Sequence, residues 1–255
     1  MLPVERQRKI LEMIKERPAV TVSELHQMLG VSRETIRHDL RQLEREGLIV
    51  RSHGGAARVE SEETDRGFVR REREYPDEKR IIARAALAYI QPGDVIMMDA
   101  STTVLALARI LPRDYRLTVV TTSVAVPVVL AERDDLTVIC TGGILRPQSR
   151  SYYGQHAESF LDTVHAHKAF LSCQGVHAQL GVTESNLFDA QVKARMVQAA
   201  SALIILADHS KLGRVSLTSF APAAAVARLI TDGGADPEVV QELVASGLMV
   251  EVAKR

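Results

Sequence analysis

Between Val20 and Gly55 the chain sets two helix-length amphipathic stretches on either side of a tight break and follows them with a Gly-Gly turn signal, an order that few small folds satisfy. The first stretch opens with Thr21-Val22-Ser23-Glu24, where Thr21 can accept from the Glu24 N–H while the Glu24 carboxylate reaches back to the Thr21 N–H. Leu25, Met28 and Leu29 follow at helical spacing, and Gly30 supplies the left-handed residue that ends the helix. Ser32 caps the next helix, Ile36, Leu40 and Leu43 form its buried stripe, and Gly47 closes it. Leu48 to Arg51 then reads as a short strand, His53-Gly54-Gly55 as a turn and Ala56 to Val59 as the return strand. An earlier helix from Pro3 to Arg17 carries Ile10, Leu11 and Ile14 on one side and is stopped by Pro18. This is the layout of a winged helix-turn-helix, which makes duplex DNA the first partner to consider.

On the wheel of the second helix Glu34, Arg37, His38, Arg41 and Arg45 lie opposite the apolar stripe, with Arg33 flanking. A helix fits the major groove, where residues of its N-terminal half reach base edges and later ones meet phosphates. The expected reading set is Arg33, Glu34, Thr35, Arg37 and His38: Arg fits the two acceptors of guanine, and Glu34 can accept from a cytosine amino group. Ser32 and Arg41 are expected to hold phosphate, and His53 sits at the tip of the wing. Charges opposite an apolar stripe are a plain solvated face in most surface helices. What weakens that reading is the order of caps, break and hairpin within one short segment.

Net charge over all 255 residues is zero, but residues 1 to 58 hold eleven Lys plus Arg against eight Asp plus Glu, a surplus of three, and the remainder holds 21 against 24. The sign suits DNA at the N-terminal end, although the asymmetry is small. Two cysteines, Cys140 and Cys173, are too few for a disulfide framework, and no Cys/His spacing suggests a metal site. No stretch stays apolar for the roughly 18 residues of a membrane span, and Glu5-Arg6-Gln7-Arg8-Lys9 leaves no room for a signal-peptide apolar core. The expectation is a cytoplasmic protein without cofactor.

The expected organisation is a DNA-binding domain over 1–58, a linker over 59–76 and an α/β domain over 77–255. The linker is rich in Glu and Arg, with Phe68 and Tyr75 as its only large apolar anchors. Beyond Pro76, short apolar runs alternate with helical ones, as in a largely parallel sheet covered by helices. Strands are expected at 95–98, 117–120, 137–140, 168–172, 202–207, 226–231 and 249–252, and helices at 77–90, 103–111, 124–132, 156–161, 189–200 and 237–246.

Ligands of such sheets bind beyond the carboxyl ends of the strands. The loops there share a bias: Asp99-Ala100-Ser101-Thr102-Thr103, then Thr121-Thr122-Ser123, then Thr141-Gly142-Gly143 with Arg146 close by. Hydroxyls, helix-start N–H groups and a guanidinium suit a phosphate. Taken singly, Ser and Thr after a strand are more often helix caps, and Gly-Gly is more often a turn. Three loops with one preference point to a shared site.

Val31-Ser32-Arg33-Glu34-Thr35-Ile36-Arg37-His38-Asp39-Leu40, with Leu43-Glu44, Gly47 and His53-Gly54-Gly55-Ala56, resembles the signature of DeoR-type bacterial transcriptional regulators. His38 departs from it, since many members carry a second Arg there, a change that bears on which operator is read. The resemblance continues through Gly93-Asp94-Val95-Ile96, Asp99, Thr102-Thr103, Gly142-Gly143-Ile144-Leu145-Arg146, Ser149, Ser151, Gly154, Gly175, Gly181, Glu184, Lys193 and Leu206-Ala207-Asp208-His209-Ser210-Lys211. It implies an effector domain similar in fold to sugar-phosphate isomerases and deaminases, with a phosphorylated sugar or related metabolite as ligand. The pocket it implies is built from Asp99, Thr102, Thr121, Gly142, Arg146, Gln174, Glu184, Asp208 and Lys211, with Lys193 reaching in from its helix. Ser101, Thr103, Thr122, Ser123, Gly143 and Gly175 belong to the same loops; Ser101 stands where Gly is frequent in the family and Thr122 where Asn is.

A catalytic alternative comes from the same fold relatives, because Asp99, Glu184 or Asp208 can serve as the base that isomerisation or deamination needs. With a DNA-binding domain attached, carboxylates that bind sugar hydroxyls are the favoured reading. A further alternative makes the N-terminal domain a protein-binding module, for which DNA affinity would show no salt dependence. The preferred expectation is a homo-oligomer, dimer or tetramer, whose paired helices reach half-sites about 34 to 36 Å apart or a multiple of that. It represses genes of carbohydrate metabolism, and relief of repression by ligand is the commoner behaviour in the family it resembles.

Overall fold

The computed structural model describes residues 3–16, 19–45, 49–52, 55–58 and 67–254. The chain divides into two compact units, Met1–Glu63 and Thr64–Arg255.

In the first unit α1 (Pro3–Glu16) is followed by β1 (Ala19–Thr21), α2 (Val22–Leu29), α3 (Arg33–Arg45), β2 (Ile49–Ser52) and β3 (Gly55–Arg58). The expected capping box is present, with Glu24 N donating to Thr21 Oγ1 at 3.2 Å and Thr21 N to Glu24 Oε2 at 2.7 Å. Gly30 ends α2 at φ +66°, a left-handed conformation that a Cβ would strain. Ile36, Leu40 and Leu43 are buried against Ile10, Val20, Val22 and Leu25. Met28 departs from expectation: it is 58% exposed, because the short α2 turns the Val22, Leu25 and Leu29 stripe inward and leaves Met28 beside it. Gly47, Pro18 and His53 lie outside the described residues. β2 and β3 form the expected hairpin, with Ser52 opposite Gly55, but β3 also pairs on its other edge with β1, which the sequence did not mark. A buried bidentate pair joins α1 to α3, with Arg6 Nε 2.5 Å from Asp39 Oδ2 and Arg6 Nη2 3.1 Å from Oδ1.

The second unit begins with α4 (Phe68–Arg73) and α5 (Pro76–Ala86), then β4 (Val95–Met98), α6 (Thr102–Ala108), β5 (Thr118–Thr121), α7 (Ala125–Leu130) and β6 (Thr137–Cys140). The short strands β7 (Ile144–Arg146) and β8 (Ser151–Tyr153) form a hairpin before α8 (Gln155–Leu161) and β9 (Ala166–Leu171). After these come β10 (Gly175–His177), β11 (Gly181–Glu184), α9 (Leu187–Gln198), β12 (Ala200–Leu206), β13 (Thr218–Ala221), β14 (Val226–Asp232), α10 (Pro237–Ala245) and β15 (Val250–Ala253).

Seven strands form one wholly parallel sheet in the order β15-β14-β12-β9-β4-β5-β6, each within two residues of its expected position. Alternate residues serve opposite faces: Met97, Ala169 and Ile205 enter one core while Ile96, Met98, Phe170 and Leu206 enter the other. The chain builds outward from β4 through β5 and β6, then returns to lay β9 on the free edge of β4, so the order reverses between β4 and β9. Such a reversal opens a crevice at the strands' carboxyl ends. The hairpin β7-β8 and the antiparallel sheet β10-β11-β13 were not foreseen; their strands are three or four residues long and lie in stretches that read as loops. Part of the expected linker is helical and anchored: Phe68 is 2% exposed in the core, and its N–H donates to Gln148 O at 2.9 Å.

Candidate ligand cleft and nucleic-acid surface

On α3 the residues Arg33, Glu34, Arg37, His38 and Arg41 are exposed, with Thr35 half-buried. Ser32 Oγ accepts from Thr35 N at 3.1 Å and meets the Thr35 hydroxyl at 2.8 Å, so it is a working helix cap. Glu34 bridges both arginines of the next turns, accepting from Arg37 Nη1 at 3.3 Å and Arg41 Nη2 at 2.9 Å. All three side chains are more than half exposed, so the bridge is screened and contributes little to stability. The exposed face therefore offers two arginines beside a carboxylate, donors and an acceptor together, which is what base-edge reading uses.

In the second unit the deepest charged cluster sits at the β4/β9 reversal. Asp99, the residue after β4, is 1% exposed. Its Oδ1 accepts from Ser101 N at 3.0 Å and its Oδ2 from Ser172 N, just beyond β9, also at 3.0 Å. Lys193 projects from α9 into the same place, with Nζ 3.1 Å from Asp99 Oδ2, 2.8 Å from the Ser172 carbonyl and bonded to Glu184 at the end of β11. Burial by itself lowers an ammonium's pKa, but the charges of Glu184 and Asp99 outweigh it, and Lys193 is held above the ordinary lysine value.

Above this cluster the surface opens into two adjoining hollows of about 500 and about 400 Å³, counted with the solvent at their mouths. Ser101, Gln174, Glu184 and Lys193 border both. Thr122 faces the first, while Thr102, Thr103, Asp208 and Lys211 face the second, where Lys211 Nζ donates to Gln174 Oε1 at 3.2 Å. Arg146 stands behind the first, its Nη1 3.3 Å from Ser149 Oγ and 3.8 Å from Asp189.

Five expected residues have other tasks. Thr121 donates its hydroxyl to Met98 O at 2.7 Å and accepts from Ser123 N at 3.0 Å, tying β5 to β4 inside the core. Ser123 caps α7, accepting from Ala125 N at 3.0 Å and Val126 N at 3.2 Å. Gly142 and Gly143 turn the chain at φ +65° and +111°, where a Cβ on Gly143 would stand 2.7 Å from Tyr153 O. At Gly175 a Cβ would meet Arg214 O at 2.4 Å, so close packing requires glycine there. For these loops the capping and turn roles win, and neither hollow is lined by these five residues.

Other residues of the cleft escaped sequence reasoning. Ser149 and Ser151 stand 2.6 Å apart, and Ser151 Oγ donates to Asp189 Oδ1 at 2.8 Å. Burial pushes the Asp189 carboxyl up, against the pull of Lys193 and the serine. Arg71, Glu74, Tyr75 and Lys79 also line the cleft. The first three lie in the segment that reads as a linker, where Tyr75 was marked only as an apolar anchor and Arg71 and Glu74 were not singled out.

A family model described as the DeoR-like helix-turn-helix domain matches residues 6–62, and one described as the DeoR C terminal sensor domain matches residues 74–233. This chain belongs to the DeoR family. The uncharacterized HTH-type transcriptional regulator YulB of Bacillus subtilis is 43% identical, over 95% of this chain and 94% of that protein. A putative aga operon transcriptional repressor of Escherichia coli O157:H7 is 31% identical, over 96% and 92%. Relatives of this kind are named as transcriptional regulators, and this chain is a transcriptional regulator of the DeoR family. Among solved structures, the sensor region is similar to ribose 5-phosphate isomerase A of Methanocaldococcus jannaschii, at 16% identity and a TM-score of 0.38 over 53% of this chain and 54% of that one. A likeness of that size says nothing about ligand or reaction. Among the described residues, no helix is long and apolar enough to cross a membrane, and no group of three or more His, Cys, Asp or Glu is placed to hold a metal ion.

Proposed function

We propose that this regulator is a repressor of carbohydrate-metabolism genes, working in the cytoplasm as a homo-oligomer whose operator affinity is modulated by a phosphorylated sugar or related metabolite. The observation that carries the reading is the cleft at the sheet reversal. Its floor is the Asp99–Lys193–Glu184 cluster, its walls carry hydroxyls from Ser101, Thr102, Thr122 and Ser151, and cationic side chains stand at Lys211 and, behind the first hollow, at Arg146. Carboxylates accept hydrogen bonds from sugar hydroxyls, while hydroxyl donors and cations suit a phosphate. A purely apolar metabolite would displace water from these groups without replacing its hydrogen bonds, at a cost of about 1–3 kcal/mol each.

On the DNA side, α3 reads base edges through Arg33, Glu34, Thr35, Arg37 and His38, and Ser32 and Arg41 contact phosphate. Repression relieved by ligand requires the ligand to favour the DNA-incompetent state, by about 5.5 kcal/mol for a nearly complete switch. The test is fluorescence anisotropy on DNA from upstream of the protein's own gene, titrated with salt and with a panel of sugar phosphates beside the unphosphorylated sugars. Arg37→Ala should cost about 1–3 kcal/mol and relax preference at one base pair, whereas Arg41→Ala should weaken all sequences about equally and lower the salt slope by about one. Wild-type affinity in both variants refutes the assignment of α3, and an affinity that no phosphorylated sugar changes refutes the effector.

A further inference from the structure

α4 and the turn after it form one wall of the ligand cleft, yet they stand only a few residues after Glu63, the last residue of the DNA-binding unit. Arg71 is the residue of α4 that borders both hollows, in company with Ser101, Gln174, Glu184 and Lys193. Because the single charge of Lys193 is shared by two carboxylates, Asp99 and Glu184, an anion entering where the hollows meet needs a further cation, and Arg71 stands at that junction. The helix that carries it is fixed from several sides. Lys79, buried in α5, donates its ammonium to the carbonyls of Arg71 and Glu74, and burial pushes its pKa down. Glu72 pairs with Arg109, just past α6, at 2.6 Å, and Thr102, the first residue of α6, donates to the Arg71 carbonyl at 3.5 Å. Phe68 is buried at the other end. Tyr75, at φ +51°, packs edge-on against His209, with ring centroids 4.9 Å apart, and His209 is held in turn by Asp232 at 2.9 Å.

We propose that Arg71 is an anion-binding residue of the cleft, and that α4 is the element by which an occupied cleft acts on the stretch of chain leading to the DNA-binding unit. The proposal rests on the reading of the cleft as an anion site given above. A phosphate bonded to Arg71 on one side and to the Ser101 loop on the other holds α4 to the sheet more tightly than Lys79 and Phe68 do alone. Occupancy is thereby felt as a change in the order of residues 67–75, the first described stretch of the second unit.

The full chain is titrated with inorganic phosphate, with sodium chloride at matched ionic strength as control, and followed by thermal shift and by amide hydrogen exchange over residues 67–75. Wild type should gain thermal stability and show slower exchange in that segment. Arg71→Gln should bind phosphate roughly tenfold to a hundredfold more weakly, the loss expected for one charge-assisted hydrogen bond, with the slowing of exchange lost and each protein's shift measured from its own phosphate-free melting temperature. Arg71→Lys, which keeps the charge, should recover part of the affinity. Wild type that does not respond to phosphate beyond the chloride control overturns the anion site itself, and this proposal with it. A responsive wild type with an equally responsive Arg71→Gln overturns the role of Arg71 alone. Protection that appears at the strand-end loops but not over 67–75 overturns the role of α4.

Discussion

Replacing Lys193 with Met keeps most of the side-chain volume and deletes the one charge that Asp99 and Glu184 share. Both carboxylates are nearly inaccessible to solvent, so water cannot take over from the ammonium. Breaking a buried pair from one side costs about 3–5 kcal/mol. Here two acids lose a partner, but Asp99 keeps the N–H groups of Ser101 and Ser172, and Glu184 keeps that of Ser185 at 2.9 Å, which holds the total within that range. For a unit of this size each kcal/mol is worth about 2–4 °C, so the melting temperature should fall by about 6–20 °C at pH 8. The pH dependence has a definite sign. Stranded carboxylates have folded pKa values above their unfolded ones, so the stability linked to their protonated forms is present at low pH and lost as pH rises through the folded values. The penalty should therefore be smallest near about pH 5 and grow toward pH 8. In the wild type Lys193 is the opposite charge type, with a pKa raised above its ordinary 10.5; the stability it adds is complete below that value and is lost only as pH climbs through the elevated one. Its contribution is thus flat between pH 5 and 8, and the slope of the difference isolates the two acids. Scanning calorimetry of both proteins at several pH values measures it, and Glu184→Gln in the Lys193→Met background should restore part of the loss. A deficit under about 3 °C at pH 8, or one that shrinks as pH rises, refutes the view that Lys193 holds this cluster together.

Asp39→Ala leaves the guanidinium of Arg6 buried in the DNA-binding unit without its carboxylate and should destabilise that unit by about 3–5 kcal/mol, read as loss of amide protection in α1 and α3; unchanged protection argues that the pair is dispensable. Gly181→Ala should cost far more than Gly30→Ala although both sites have positive φ, because a Cβ at Gly181 would stand 2.3 Å from Ala221 O whereas the one at Gly30 meets open space. At Gly30 only the left-handed penalty of about 1–2 kcal/mol applies, and equal melting temperatures for the two variants would contradict the crowding at β11.

What was legible in the sequence was what repeats with a period. The stripe Ile36, Leu40, Leu43 and the capping box at Thr21 fixed the helices of the first unit, and runs such as Val95 to Met98 marked strands buried on both faces. The strands β1, β7, β8, β10, β11 and β13 each mix polar residues or glycine with at most two apolar ones, so they went unseen. The cleft was half legible. Asp99, Ser101, Glu184 and Lys193 stand together at the β4/β9 reversal, but a hydroxyl after a strand looks the same whether it faces a ligand or, like Ser123, caps the next helix. Asp189 reads as an ordinary polar residue of α9, and its place beside Ser151 depends on a contact spanning 38 positions that no local pattern encodes.

The pairing of β1 with β3 bears on how a binding site on DNA can be searched. A hairpin joined to its domain at one edge only would be free to rock and adapt to grooves of differing width. Here residues 19–21, which lead directly into α2, pair with the hairpin's second edge, so the described strands and α2 are joined into a single template. A template of that kind discriminates by fit: sequences whose groove shape departs from it must themselves bend, and the energy of that bending becomes part of what the regulator recognises.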